Sequence, residues 1–375
     1  MPTPPPGPGT ANLSPPDADE VEVISRGIES ASAPASGLTD TQRLLLSAIC
    51  IAMTGHPASP DAPPIGPGEF AAALSARTVE FRARIVQLMV LLGLVLRPLP
   101  PEVADRIGSF AAELGVEEGM LDVAREFAQG SLGLAAFDFE RNGYTAEWSE
   151  QDSRALHTSG PLASAWDAAV TDPILAQRWQ GLEELRPGTL GRRITEMYQA
   201  RGFVYPGLPG SAPPLLAQHD WVHVLADYGT TVEAELEVFA FIARANDDAR
   251  AFSLLAMVVS LFETGYLRTG AGLFEYSPGH LSEQGMAVRV ADAMRRGALC
   301  AGSIDFMRQD WFALADLTVA DAREHFGVPP KSRDAIATRS VGPWQAGGIS
   351  PFQINAGERL AEARGHDYYS FGAHP

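Results

Sequence analysis

Residues 215–245 read LLAQHDWVHVLADYGTTVEAELEVFAFIARA, and this stretch decides the fold. Apolar residues recur at helical spacing in two runs, 215–228 and 232–245, which predicts two α-helices. Between them, residues 227–231 (DYGTT) are typical of a helix C-cap, a turn and a threonine N-cap for the second helix. Because the connection is so short, we expect the two helices to pack antiparallel.

The same helical spacing extends over most of the chain and predicts an all-α fold. No stretch shows the two-residue alternation of several sheet strands, and hairpin turns of the Asn-Gly type do not recur. Further helices are predicted over residues 40–53, 70–96, 101–114, 116–128, 162–170, 173–185, 189–201, 249–267 and 285–301.

Composition divides the chain into two predicted helical domains with flanking segments. The N-terminal segment is rich in Pro, Ala, Ser and acidic residues, so it has too few large apolar groups to offset its ordering entropy. The C-terminal segment is rich in Gly, Ser and Pro, with one short helical run near residues 357–364. We predict a disordered Pro-rich head at 1–37, a helical domain at 38–141, a linker at 142–160, a second helical domain at 161–330 and an extended C-terminal arm at 331–375.

Charge and cysteine usage exclude several classes of function. The formal net charge of −18 repels nucleic acid, so no nucleic-acid partner is expected. The two cysteines, Cys50 and Cys300, exclude a disulfide framework and a cysteine-rich zinc site. Residues 1–9 lack the features of a signal peptide, and the longest apolar runs, 85–96 and 254–262, are too short to span a bilayer. A cytoplasmic protein is therefore predicted.

Of the eight histidines, only His219 and His223 form a pair at helical spacing. Four residues rise about 6 Å and return to the same helix face, so both imidazoles can reach one ion. Asp220 either completes the coordination or hydrogen-bonds an imidazole. Glu235, early in the next helix, is brought back beside the pair by the tight turn. Two imidazoles and two carboxylates suit Zn²⁺ or Fe²⁺, with Mn²⁺ as a third candidate, and do not suit Cu⁺.

A plainer interpretation of the same residues remains open. Histidine pairs at this spacing are often ordinary surface or core residues. Glu233, Glu235 and Glu237 alternate along one helix, and they are also typical of a solvated helix face.

The string from His219 to His223, followed by eleven residues and Glu235, resembles the HDxxH-x11-E signature of the coenzyme Q biosynthesis protein 4 family. The resemblance extends to three further segments in the same order, and it covers about residues 161–330. These segments are LRPGTLGR at 185–192, AMRRG at 293–297 and a stretch running through Asp310-Trp311 to GVPP at 327–330.

The resemblance implies an all-helical domain with a divalent metal held by His219, Asp220, His223 and Glu235. It also implies a groove for a prenylated aromatic ring, and a role in removing the ring carboxylate and hydroxylating that carbon during ubiquinone assembly. Two hypotheses follow: a metal-dependent decarboxylase or hydroxylase of an aromatic acid or quinone precursor, or a non-catalytic prenyl-lipid-binding scaffold with a structural metal. Either protein would associate with a biosynthetic complex or with the inner face of the membrane.

Residues 38–141 faintly resemble the helical TerB-like domains that are linked to tellurite resistance and stress response. The acidic loop typical of those domains is not clear at residues 55–61 (GHPASPD). A general helical interaction module is the competing interpretation.

Overall fold

Helices make up the regular backbone of this protein. The computed structural model describes residues 16, 18–54, 58, 63–96, 98–116, 121–122, 152–160, 171–246, 251–259, 280–300 and 304–372. In these ranges there is no strand beyond an isolated bridge between Thr189 and Thr318, so the predicted all-α fold is confirmed. The α-helices, numbered here in chain order, are α1 Ala18–Ser32, α2 Asp40–Thr54, α3 Pro67–Ala73, α4 Val79–Leu94, α5 Pro101–Glu113, α6 Pro173–Gly181, α7 Leu190–Arg201, α8 Gln218–Ala226, α9 Val232–Ala245, α10 Phe252–Val258, α11 Met286–Ala298, α12 Trp311–Leu314, α13 Val319–Phe326, α14 Arg333–Ala337 and α15 Pro351–Arg364.

Short polar side chains begin many of these helices, as the sequence predicts. A side-chain oxygen at each such N-cap accepts a hydrogen bond from a backbone N–H of the first turn, which would otherwise lack a partner. In the helix that carries Glu235, the cap is Thr231, whose side chain accepts from the N–H of Ala234. The other caps of this kind are Thr78, Asp172, Thr189, Asp310, Thr318, Ser332 and Ser350.

Helices α8 and α9 form the predicted pair. Helix α9 has the bounds that the sequence predicts, whereas α8 is shorter than predicted at both ends. Helix α8 ends at Ala226 and is followed by its C-cap, Asp227, which adopts the left-handed conformation with a φ of 65°. The opposite side of α9 packs against α11 at a close crossing. A Cβ at Gly297 would lie 2.3 Å from the Phe241 carbonyl oxygen, so only glycine fits there.

The N-terminal and C-terminal helical blocks share one continuous apolar core. Helix α2 packs against α11, and α4 packs against α10. Arg84 joins the blocks by donating to the carbonyl oxygens of Ala243, at 3.0 Å, and Asn246, at 2.7 Å. The division into two domains and the TerB-like resemblance stay predictions. Much of the predicted linker lies outside the described residues, although Leu156, near its end, is buried.

The prediction of a disordered head at 1–37 is wrong for residues 18–32, which form α1. Val21, Ile24, Ile28 and Ala31 lie on one face of this helix and are buried in the core. Four apolar residues at helical spacing bury enough surface to order the segment, despite its polar composition. Residues 1–15 lie outside the described part of the chain.

The prediction of an extended C-terminal arm at 331–375 is also wrong, although the short helical run expected near residues 357–364 lies within α15. This segment contains α14, α15 and a 3₁₀ turn at Tyr368–Phe371. Helix α15 packs on α7 so closely that a Cβ at Gly357 would lie 2.1 Å from the Ala200 carbonyl oxygen. The Tyr368 hydroxyl donates to the same oxygen at 2.9 Å. These contacts bring the C-terminal segment onto the helix that borders the candidate site.

Some predicted helices differ in their bounds. The predicted helix at 70–96 is two helices, α3 and α4, because the backbone turns after Ala73 and Thr78 caps a new helix. Most of 116–128, all of 162–170, and residues 249–250 and 260–267 of the predicted helix at 249–267 lie outside the described residues, and α10 is the described part of that helix. Among the described helices, none has both the length and the apolar character needed to cross a bilayer.

Candidate metal centre

The tight turn between α8 and α9 brings three predicted site residues together. His219 and His223 lie on one face of α8, with their ring centroids 5.2 Å apart. Nε2 of His219 lies 3.3 Å from Oε2 of Glu235, and Nε2 of His223 lies 3.3 Å from Oε1 of the same carboxylate. The ligand atoms of all three residues lie within 4.8 Å of one another, so one ion could contact them all.

The other ring nitrogen of each histidine faces a backbone carbonyl. Nδ1 of His223 lies 2.7 Å from the oxygen of Gly229, and Nδ1 of His219 faces the oxygen of Leu216. Because a carbonyl oxygen only accepts, each Nδ1 carries a hydrogen, which leaves Nε2 as the nitrogen that faces Glu235. Nε2 of His223 is buried and makes no hydrogen bond within the described part of the chain. Metal-binding histidines are oriented in this way.

Asp220 lies at the edge of this cluster. Its Oδ1 is 3.3 Å from Nε2 of His219, and its Oδ2 accepts a hydrogen bond from the hydroxyl of Tyr198. It is outside the group of three whose ligand atoms converge. The structure thus brings Asp220 to the site, and its role as a ligand stays a prediction.

Burial is uneven across the cluster. His223 and Glu235 are 0% and 2% exposed, whereas His219 and Asp220 each keep 7%. The ring of Phe239 covers His219 with a centroid distance of 4.7 Å. Among the described residues, the side of the cluster nearest to solvent is therefore the side of His219 and Asp220.

The charges of the cluster shift the pKa values of its members. Burial alone lowers the pKa of His219, but the carboxylates of Asp220 and Glu235 outweigh it and raise this pKa to about 9. Burial raises the pKa of Glu235, but the imidazoles of His223 and His219 outweigh it and lower this pKa to about 2. Burial also raises the pKa of Asp220. Two buried carboxylates create a negative potential that either a proton or a divalent cation can compensate.

The interpretation of three glutamates as a solvated helix face is wrong for two of them. Glu235 is buried in the cluster, and Glu237 is buried on another side of α9, with Oε2 2.5 Å from a guanidinium nitrogen of Arg289. Glu233 is half-buried and contacts His280. Glu233, His280 and the exposed Glu283 form a second group that could hold an ion, but this group is open to solvent.

Sequence analysis missed residues that border or support the cluster. Tyr198 and Arg201 lie on α7 and are 2% and 0% exposed. Arg201 donates from Nε to the hydroxyl of Thr230, at 2.5 Å, and burial lowers its pKa to about 9. At the end of a helix and followed by a glycine, Arg201 has the pattern of an exposed terminal cation. No sequence signal separates it from that ordinary role.

The fold and the cluster define an all-helical protein with a buried group of two imidazoles and one carboxylate. The orientation of both rings, and the buried Nε2 of His223 that faces Glu235 without making a hydrogen bond among the described residues, fit a divalent cation.

No family model matches the chain, and no curated protein matches it either. One solved structure is similar, a protein from Nostoc punctiforme that is provisionally described as a ubiquinone biosynthesis protein. It is 22% identical, and the match covers 56% of this chain and 97% of that protein, with a TM-score of 0.32. At this TM-score the similarity carries no argument about the function of this chain.

Proposed function

We propose that this chain is a metal-dependent protein in which His219, His223 and Glu235 hold a divalent cation, either Zn²⁺ or Fe²⁺. The observation that carries the proposal is the convergence of two Nε2 atoms on one buried carboxylate, with each Nδ1 turned to a backbone carbonyl. Asp220 is proposed as a fourth ligand or as a neighbour that orients His219.

We further propose that the protein acts on an aromatic acid or quinone precursor, in ubiquinone or related biosynthesis. The support is the resemblance of the HDxxH-x11-E motif and its companion segments to the coenzyme Q biosynthesis protein 4 family. When bound, the cation would supply Lewis-acid polarisation of a ring carboxylate or phenolate oxygen, or, as Fe²⁺, a site for dioxygen chemistry. The proposed reaction releases the ring carboxylate as CO₂. In simple decarboxylation a proton would replace it at the ring carbon; with Fe²⁺, dioxygen as co-substrate would supply a hydroxyl oxygen instead, with water consumed and hydrogen peroxide as the second product.

The chain's own residues would contribute proton handling and exclusion of water. Asp220 accepts from Tyr198 and lies on the less buried side of the cluster. Because burial raises its pKa, Asp220 is the side chain best placed to take up or release a proton next to a bound substrate. Phe239 covers His219 and limits the access of water.

The first experiment measures the metal content of the purified protein by mass spectrometry. His223→Ala and Glu235→Gln should each lose the metal that the wild type carries. Glu358→Gln is the control, because it makes the same chemical change at an exposed glutamate that belongs to neither group of candidate ligands. Absence of bound metal in the wild type after reconstitution with Zn²⁺ and with Fe²⁺ would contradict the proposal. Metal retained by Glu235→Gln would exclude the proposed ligand set.

A second experiment tests the substrate class. The metal-loaded protein is incubated with hydroxybenzoic acids, with and without an isoprenoid chain, and the products are identified by mass spectrometry. We expect loss of the ring carboxylate by the wild type and none by Glu235→Gln. If no aromatic acid is converted while metal is bound, the metal proposal stands and the substrate proposal fails.

Deep burial of the cluster favours the alternative function, a prenyl-lipid-binding scaffold with a structural metal. His223 is fully buried and Glu235 nearly so, as is common for closed structural sites. Substitution with Co²⁺ separates the two functions, because its visible spectrum reports coordination. A spectrum that changes when azide is added indicates an open coordination position and favours the enzyme. An unchanged spectrum favours the scaffold.

A further inference from the structure

The turn that orients His223 is held by the C-terminal segment of the chain. Gly229 supplies the carbonyl oxygen that accepts from Nδ1 of His223. The N–H of Gly229 donates to the carbonyl oxygen of Val341, at 2.9 Å, and the N–H of Thr230 donates to that of Gly348, at 2.8 Å. The turn is thus paired, residue by residue, with backbone that lies more than a hundred positions later.

Gln353 forms hydrogen bonds with the carbonyl oxygen and the hydroxyl of Thr230. Its Nε2 donates to the carbonyl oxygen of Thr230, at 2.9 Å, and its Oε1 accepts from the Thr230 hydroxyl, at 2.8 Å. Gln353 is 0% exposed, although it lies in the first turn of α15. Its Oε1 also accepts from the N–H of Ser350, at 3.2 Å, which completes a capping box. One side chain therefore starts α15 and ties that helix to the turn.

Arg201 forms hydrogen bonds with both the turn and the C-terminal segment. Its Nε donates to the Thr230 hydroxyl, and one of its terminal nitrogens donates to the Pro343 carbonyl oxygen at 2.8 Å. The guanidinium group of Arg201 is fully buried. If its hydrogen-bond acceptors moved away, a buried positive charge would be left without partners, which is energetically costly. This cost favours one arrangement of α7, the turn and the segment at 341–348.

Glycines let the turn and the C-terminal segment approach backbone to backbone. A Cβ at Gly229 would lie 2.6 Å from the Gly348 carbonyl oxygen, and a Cβ at Gly348 would lie 2.1 Å from that of Gly342. No larger residue fits at these positions without displacing the backbone. The close fit restricts the side chains that these two positions accept.

We propose that Gln353, Thr230 and Arg201 are positioning residues of the metal centre, through which residues 341–353 fix the Gly229 carbonyl against His223. This inference rests on the proposed function, because it assigns the network a role in metal affinity. Residues 341–353 lie outside the segment at 161–330 on which the family resemblance rests, whereas Thr230 and Arg201 lie inside it.

The test measures Zn²⁺ affinity by competition with a chelator, together with the visible spectrum of the Co²⁺-loaded protein. Gln353→Leu and Thr230→Val should weaken Zn²⁺ binding by about 10- to 100-fold and change the Co²⁺ spectrum, since His223 is no longer oriented. Thr230→Ser keeps the hydroxyl and should restore both properties. Tyr368→Phe is the matched control: it removes one buried hydrogen bond between the C-terminal segment and α7, and this bond involves none of Thr230, Gln353 and Arg201. It should lower Tm and leave Zn²⁺ affinity at the wild-type value.

A metal-free measurement separates failure of this inference from failure of the proposed function. Nitrogen NMR of ¹⁵N-histidine-labelled protein reports which ring nitrogen of His223 carries hydrogen. Because Nδ1 of His223 faces the Gly229 oxygen, we expect it to carry hydrogen in the wild type and in Tyr368→Phe, and to lose that hydrogen in part of the molecules of Gln353→Leu and Thr230→Val. Wild-type Zn²⁺ affinity and an unmixed Nδ1–H form in both variants would overturn the inference. If the wild type binds no metal, the proposed function fails. The NMR result alone then decides whether the network orients the ring of His223.

Discussion

The hydroxyl of Tyr198 donates a hydrogen bond to Oδ2 of Asp220, and both residues are buried in neighbouring helices. Asp220 meanwhile keeps Oδ1 3.3 Å from Nε2 of His219. The carboxylate thus lies between a tyrosine of α7 and an imidazole of α8. Tyr198 and the cluster together set the position of the Asp220 carboxylate. In this respect Asp220 differs from Glu235.

Tyr198→Phe should destabilise the protein without emptying the metal site. The change leaves a buried carboxylate oxygen without its donor, which costs about 1–3 kcal/mol. Metal content should stay at the wild-type level, because Tyr198 contacts none of the three convergent ligands directly. Urea unfolding and metal analysis of the same samples check both points. Tyr205→Phe is the control, since the Tyr205 hydroxyl is bound to the partly exposed Glu183. Loss of metal in Tyr198→Phe would mean that Asp220 is itself an essential ligand.

The metal-free protein should lose stability as pH rises from about 6.5 to about 9. The pKa of His219 is about 9 in the folded protein, above its ordinary value of 6.5, so the folded state binds more protons in this window. The contribution is fully present below pH 6.5 and disappears as pH rises through 9. Chemical unfolding at several pH values should show this slope in the wild type. The same slope in His219→Gln would contradict the assignment.

At the acid end, Glu235 should have the opposite effect. Its pKa is about 2 in the folded protein, below its ordinary value of 4.5, so its contribution is present above pH 4.5 and is lost as pH falls towards 2. Glu235→Gln should therefore flatten the loss of stability of the metal-free protein in acid. Unfolding curves between pH 5 and pH 3 check this. Equal acid sensitivity in the wild type and Glu235→Gln would show that other carboxylates dominate.

Arg289→Met should cost about 3–5 kcal/mol of unfolding free energy, because it leaves Glu237 buried and unpaired. The double variant Arg289→Met with Glu237→Gln should recover much of this loss, since neither side then carries a buried charge. Both variants should keep their metal, because Glu237 faces away from the cluster. Thermal unfolding and metal analysis test the prediction. If the double variant is no more stable than Arg289→Met alone, the loss of stability comes from lost packing and not from the unpaired charge of Glu237.

Gly297→Ala should destabilise the protein by about 1–3 kcal/mol or more through overpacking. The added Cβ would meet the backbone of α9 at 2.3 Å and 3.0 Å, at Phe241 and Ala245. Gly181→Ala is the matched control, because Gly181 also ends a helix and has no heavy atom within 4 Å of the added Cβ. It should be neutral or slightly stabilising. Similar stabilities of the two variants would mean that α9 and α11 can separate at little cost.

The sequence determined the helical class, the bounds of α9 and the pairing of the histidines with Glu235. These follow from short-range physics, since spacing along a helix fixes which side chains share a face and a tight turn fixes which helix returns. The sequence also contains the apolar pattern that buries α1, at Val21, Ile24, Ile28 and Ala31. The proline-rich composition around that helix led instead to a prediction of disorder.

Tertiary structure alone decided which polar residues are buried and with which partners. Glu235 and Glu237 look alike in sequence, yet one faces two imidazoles and the other faces Arg289. Gln353 has the sequence pattern of a capping-box residue, and nothing local indicates that it also binds Thr230, 123 positions away. Such contacts depend on how whole helices pack, and packing is set by the sum of many weak apolar contacts rather than by any motif. For that reason the sequence located the candidate ligands, and only the fold revealed what holds them in place.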